Sequence, residues 1–209
     1  MTLIALSASY GAGGSVVGPQ LAERLDVPFV DRAIPTGVAE QLEVPLDEAL
    51  ERDENVGGLL DRMLAHFAPL SGAYVSGTAA DSLMGGDVYR EATERVICEH
   101  AEAGKGVILG RACAFVLRDR PEVLRVRLDG PEDARIKQAM RLQRIDEATA
   151  RQQMRQTDRA RDLYVRHFYG ADPADTSLFH LVIDSPAIGP DTCVDLIARA
   201  AQAHSRSSA

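Results

Sequence analysis

Apolar residues along the chain fall into two rhythms. Five short, nearly continuous runs occur at Thr2 to Leu6, Val27 to Val30, Gly106 to Leu109, Val123 to Leu128 and His180 to Asp184, each followed by a helix-length segment. Runs of that length, rich in β-branched residues and leucine, predict buried strands. Between them the spacing turns helical, as at Val17, Leu21, Ala22 and Leu25 after the first run and at Cys193, Leu196, Ile197, Ala200 and Ala201 at the end. Alternation of this kind predicts an α/β fold: a five-stranded parallel sheet with helices on both faces, joined by right-handed crossovers. Ligands of such open sheets bind beyond the carboxyl ends of the strands, so the residues just after each run are the ones to read for chemistry.

Two stretches depart from the rhythm. Residues 33–86 are acidic and marked by Gly57-Gly58 and Gly85-Gly86, whereas residues 146–173 are rich in arginine. Both are expected to be insertions over the ligand site, the first contacting an acceptor and the second forming an arginine-rich lid; ordinary surface helices are the alternative. With 209 residues and 45% hydrophobic composition, the chain suits one domain over residues 1–209 better than two cores. Ser205 to Ala209 reads as a frayed tail.

Charge sharpens this picture. The net charge is -8, yet residues 104–169 hold 15 of the 23 basic residues and 9 of the 31 acidic ones. A basic patch therefore sits on an acidic body, which suits a compact polyanion such as a nucleoside triphosphate and disfavours long nucleic acid. No run of about 18 apolar residues is present, and the start of the chain has no secretion signal, so a soluble, cytoplasmic protein without membrane partners is expected. Cys98, Cys113 and Cys193 lie far apart and suggest neither a disulfide framework nor a zinc site. The five histidines show no ligand spacing. A homodimer through Leu59, Leu60, Met63, Leu64 and Phe67 is open, though helix-core packing explains the same residues.

The first strand runs into Ser7-Ala8-Ser9-Tyr10-Gly11-Ala12-Gly13-Gly14-Ser15. A strand, a glycine-rich turn and a helix N-terminus together form an anion cradle, because free amides and the helix dipole converge. Against the phosphate-loop pattern G-x-x-x-x-G-K-[ST], Ala8 replaces the first glycine, Gly13 matches, Gly14 replaces the lysine and Ser15 matches. Gly11, Ala12, Gly13, Gly14 and Ser15 are thus candidates for nucleotide phosphate, with Ser15 also a magnesium ligand. The lost lysine would normally compensate β- and γ-phosphate oxygens, so another cation must do so or turnover is weak. Gly110 and Arg111 end the third strand, where a guanidinium fork can hold an acceptor phosphate. Asp31 ends the second, suited to a metal-bound water or an acceptor hydroxyl, and equally to a helix cap. In the basic stretch, Arg151, Arg155, Asp158 and Arg159 share one helical face. Arg155, Asp158, Arg159 and Arg161 are the candidates for catalysis, with a solvated helix as the alternative reading.

Ser7 to Ser15 together with Pro28-Phe29-Val30-Asp31 resembles the opening of the cytidylate-kinase-like family, within the P-loop nucleoside monophosphate kinase superfamily. Val107 to Arg111, Leu124 to Leu128 with Glu132 to Arg135, Thr157 to Arg161 and His180 to Ser185 resemble its central segment, arginine lid and last strand. Members commonly carry glycine where other kinases have the lysine, and often arginine where Ala8 and Ser15 stand here. The resemblance implies a P-loop, three-layer fold and transfer of phosphate from ATP, with Mg2+, to CMP or dCMP. A catalytically weak nucleotide sensor and a kinase of a small non-nucleotide acceptor are the alternatives.

Overall fold

The computed structural model describes residues 2–31, 94–95 and 97–207. The 33–86 insertion and the dimer positions from Leu59 to Phe67 lie outside the described residues, as does the side chain of Arg111. Five strands, β1 (Thr2–Ala8), β2 (Phe29–Asp31), β3 (Lys105–Leu109), β4 (Val123–Asp129) and β5 (Leu181–Asp184), form one sheet in the order β2-β3-β1-β4-β5. Every pairing is parallel. The helices are α1 (Gly14–Leu25), α2 (Arg111–Val116), α3 (Glu132–Gln143), α4 (Glu147–Tyr169), α5 (Ser185–Ile188) and α6 (Pro190–Ser207), and residues 97–102 are also helical.

β1 is central because its residues are apolar on both faces, with Leu3 to Leu6 all buried. The period-2 alternation then sorts them between two layers. Leu3 and Ala5 pack with Ile108, Cys113, Leu117, Ala160 and Tyr164 beneath α2 and α4. Ile4 and Leu6 pack with Val17, Leu21, Cys193 and Ile197 beneath α1 and α6. This is the expected arrangement with helices on both faces.

Within residues 146–173 lies one 23-residue helix, α4. Asp146 caps it by accepting from the Thr149 amide at 2.7 Å, and Gly170, with φ 58°, ends it. Its buried side chains are Ala150, Met154, Thr157, Ala160, Tyr164 and Val165. The C-terminal half docks through aromatic pairs, Tyr164 with Phe168 at 4.7 Å and Phe115 with Tyr169 at 5.3 Å. The N-terminal half joins Ile136 and Ala139 of α3 and Tyr10 of the β1–α1 loop in a third cluster. The expected tail is also shorter: α6 continues to Ser207, its end tied by a 2.8 Å contact between His204 Nε2 and the Pro121 carbonyl.

Candidate active site

Loop and helix meet at the carboxyl edge of the sheet. The Ser9 amide still donates to the Leu128 carbonyl at 3.1 Å, which carries β1 one residue past its last ladder pair. The chain then turns with Gly11 at φ 75° and Gly13 at φ 77°, and Gly13 begins α1 with no side-chain cap. Both torsions are left-handed, a conformation glycine adopts without a Cβ penalty. Space is also short: a Cβ on Gly11 would collide with the Arg135 carbonyl, and one on Gly13 would stand 2.9 Å from Gln138 Nε2. Because Gly13 has no side chain to cap α1, the first amides and positive dipole end of the helix suit an anion.

A cavity of about 280 Å³ opens over this loop. Gly11, Gly13, Gly14 and Ser15 line it from the loop, and Asp31 and Gly110 from the ends of β2 and β3. Thr157 and Arg161 close it from α4, with Leu142 and Gln143 from α3. Ala8, six residues before Gly14, and Leu109 leave little room for a side chain at position 14. A Cβ at position 14 would lie 2.5 Å from the Ala8 Cβ and 3.1 Å from Leu109 Cδ1. Alanine at position 8 and glycine at position 14 are therefore coupled in packing. Among the described residues, the cation that lines this cavity is Arg161, whose Nη1 donates to the Ala8 carbonyl at 3.0 Å.

Asp158 reaches the loop as well. Its Oδ1 accepts from the Tyr10 amide at 2.9 Å and its Oδ2 from Arg135 Nη1 at 2.7 Å, while Arg135 also donates to the Tyr10 carbonyl at 2.8 Å. Arg135 and Asp158 are both mostly buried, so this is a hydrogen-bonded ion pair held in low dielectric. A neighbouring carboxylate, Asp129, ends β4. Burial opposes its ionisation, yet Arg127 beside it and a hydrogen bond from Ser9 outweigh that and hold its carboxyl below the usual range. On the outer side of α4, Arg151 is engaged by Asp133 at 3.0 Å and Glu147 at 2.8 Å. Arg155 is exposed, Arg159 is half-buried, and neither lines the cavity.

From sequence, Tyr10, Arg135, Thr157 and Gln143 had no role in the site, although Arg135 and Thr157 lie in segments that carry the family resemblance. Tyr10 had one available signal, being the only large side chain between Ser7 and Ser15. The others come from helices whose register against the loop depends on tertiary packing. Among the described residues no group of three or more His, Cys, Asp or Glu is placed to hold a metal, and no helix is long and apolar enough to cross a membrane.

The sequence pattern of the Cytidylate kinase-like family matches residues 3–187. A cytidylate kinase of Ignicoccus hospitalis is 25% identical over 203 residues, covering 95% of this chain and 98% of that protein. A cytidylate kinase of Methanopyrus kandleri is 27% identical over 107 residues, 47% of this chain and 55% of that one. Among solved structures, an uncharacterized protein from Eubacterium ventriosum superposes with a TM-score of 0.63 at 20% identity, covering 97% and 99% of the two chains. That likeness concerns the fold. The glycine-rich loop after β1, the parallel order β2-β3-β1-β4-β5 and the nearly full-length family match make this chain a P-loop α/β protein of the kinase type, and it belongs to the cytidylate kinase-like family.

Proposed function

We propose that the chain transfers the γ-phosphoryl group of ATP to a nucleoside monophosphate, with CMP or dCMP as the leading acceptor. The observation that carries this reading is the single cavity joining the uncapped start of α1, the ends of β2 and β3, and the Arg161 guanidinium. In it, Gly11, Ala12, Gly13 and Gly14 offer backbone amides to the donor phosphates, and the dipole of α1 favours their charge. Arg161 supplies the positive charge that Gly14 lacks, close to the loop and to the group in flight. Phosphoryl transfer asks little covalent chemistry of a protein, so amides and one positioned guanidinium supply most of what is needed. Asp31, Gly110 and Arg111 border the acceptor. Arg155 and Arg159 lie further along the lid helix and add to its field rather than to contact. The near full-length relation to a cytidylate kinase of Ignicoccus hospitalis supports the choice of acceptor.

Magnesium fits this donor set. Ser15 and Asp31 bring a hydroxyl and a carboxylate to one cavity, and magnesium takes few protein oxygens when phosphates and waters complete its shell. When bound, it would neutralise charge on the β- and γ-phosphate oxygens. Ser15→Ala is then expected to weaken nucleotide binding more with magnesium than without it; equal losses would leave Ser15 a helix-terminus residue only.

Incubation of the protein with labelled ATP, magnesium and a panel of nucleoside monophosphates, followed by chromatography, tests the activity. Labelled CDP or dCDP is the expected product. A second reading, a nucleotide sensor without turnover, is favoured by the tight packing at Gly14, which excludes the usual lysine. Tight ATP binding with no labelled diphosphate from any acceptor would decide for the sensor.

A further inference from the structure

A phosphate loop works through its backbone, and its side chains are free for other tasks. In this one, eight of the nine residues from Ser7 to Ser15 are serine, alanine or glycine, and the ninth is Tyr10. Tyr10 is 8% exposed and packs with Ile136, Ala139, Ala150 and Met154, which belong to α3 and α4. Its amide donates to Asp158, its carbonyl accepts from Arg135, and its hydroxyl lies 2.6 Å from Gln153 Oε1 and 3.1 Å from Gln143 Oε1. A phenol has one proton. It therefore donates to the nearer Gln153, while the Gln143 amide, turned about its last torsion, donates back to the phenol oxygen. Every polar group of this residue is thus spoken for by the α3–α4 hairpin. Burial raises the phenol's pKa, with Gln143 opposing and Asp158 adding, so the proton stays in place at neutral pH.

The partners on α4 have a pattern. Gln153, Thr157 and Arg161 recur every four residues, so one face of the helix runs along the loop, with Asp158 beside it. At the far end of that face, Arg161 bonds the Ala8 carbonyl, two residues before Tyr10. We propose that Tyr10 is a positioning residue that staples the phosphate loop to the α3–α4 hairpin, so that the loop and the helix carrying Arg161 answer an anion as one unit. The staple itself is read from these contacts; its consequence for turnover rests on the kinase reading. Without it, the loop amides still bind the donor phosphates, but Arg161 loses its register over them. A residue that only fills space would lower stability and leave the turnover of the folded protein unchanged.

Hydrogen–deuterium exchange on the full chain tests this, comparing residues 148–161 with 14–25 in the parent, Tyr10→Phe, Gln153→Leu and the double variant. Tyr10→Phe keeps the ring and its packing, and Gln153→Leu removes the same bond from the other side if the loop variant misbehaves. Without ligand, each single variant is expected to exchange about tenfold faster in residues 148–161, the weight of one net hydrogen bond, with residues 14–25 unchanged. The double variant is expected to add little, because both changes remove one interaction. With ATP and magnesium, the parent gains protection in both segments and the variants in residues 14–25 alone. In steady state, kcat is expected to fall roughly 10- to 100-fold, the scale of an ångström of misplacement, with KM for ATP within about twofold. Additive effects, equal loosening of both segments, or an unchanged kcat would overturn the staple. If ATP protects neither segment of the parent, the nucleotide reading fails instead, and the ligand-free cycle alone decides for or against Tyr10.

Discussion

The two sides of the phosphate loop are built on different principles. Beneath it, α1 and α6 share a continuous apolar layer with the sheet, in which Ile4, Leu6, Val17, Leu21 and Ile197 are wholly buried. Its outer rim carries one exposed ion pair among the described residues, Arg24 with Asp195 at 2.9 Å. Above it, the α3–α4 hairpin contributes four buried residues to the cluster around Tyr10 and is tied to the loop by Asp158, Arg135, Gln153 and Arg161. Apolar burial is non-directional and tolerant of small shifts, whereas hydrogen bonds fix distance and angle. The lower side therefore holds the fold together, and the upper side holds a guanidinium at a set place. Damage to the first should appear as lost stability, and damage to the second as lost function in a protein that still folds.

The boundary between the two regions, the loop itself, should give the largest effect. Gly13→Val puts a β-branched side chain at a left-handed torsion and against Gln138, where phosphate oxygens would approach the backbone. Calorimetric titration is expected to show no ATP binding by a folded variant; unchanged affinity would remove the phosphate-loop reading. Next comes the lower layer. Ile197→Ala leaves a void in a site with no exposure and is expected to cost about 2–5 kcal/mol in denaturant unfolding, with ATP affinity at low temperature unchanged. A smaller and more pointed effect concerns position 14. Gly14→Lys alone should destabilise by about 1–3 kcal/mol, because its Cβ meets Ala8, and Ala8→Gly in the same chain should relieve most of that. Equal stability of the single and double variants would break the coupling between these two positions.

The lower region was the more legible in sequence. Its strands are short apolar runs buried on both faces, and its helices carry 3.6-residue spacing, so both patterns survive without knowledge of the partner. Boundaries drifted where tertiary bonding extends a strand through small or polar residues, as β1 does through Ser7 and Ala8. β2 begins at Phe29 rather than Val27, although the Pro28 carbonyl still accepts from the Val107 amide at 2.9 Å. In the upper region, the arginine-rich stretch announced charge and not its placement. The apolar face of α4 is made partly of Ala150, Thr157 and Ala160, residues too small or too polar to mark a core stripe. Nothing local distinguishes Arg161, which bonds the loop, from Arg155, which is exposed. Tyr10 stands out in sequence only by its size, for a similar reason: its partners lie 133 and 143 residues away.

That distinction between two arginines on one helix gives the most direct test of the account. Steady-state kinetics of Arg161→Ala and Arg155→Ala would be compared with the parent, using the acceptor found by the nucleotide panel. If Arg161 stands in for the absent lysine, its removal should lower kcat by about 10³-fold, as for other arginines on a transferring phosphoryl group, with ATP affinity nearly kept. Arg155→Ala should stay within about fivefold, as expected of an exposed charge worth at most roughly 1 kcal/mol. Losses within about fivefold for both variants would contradict the account and return the basic face of α4 to solvated surface.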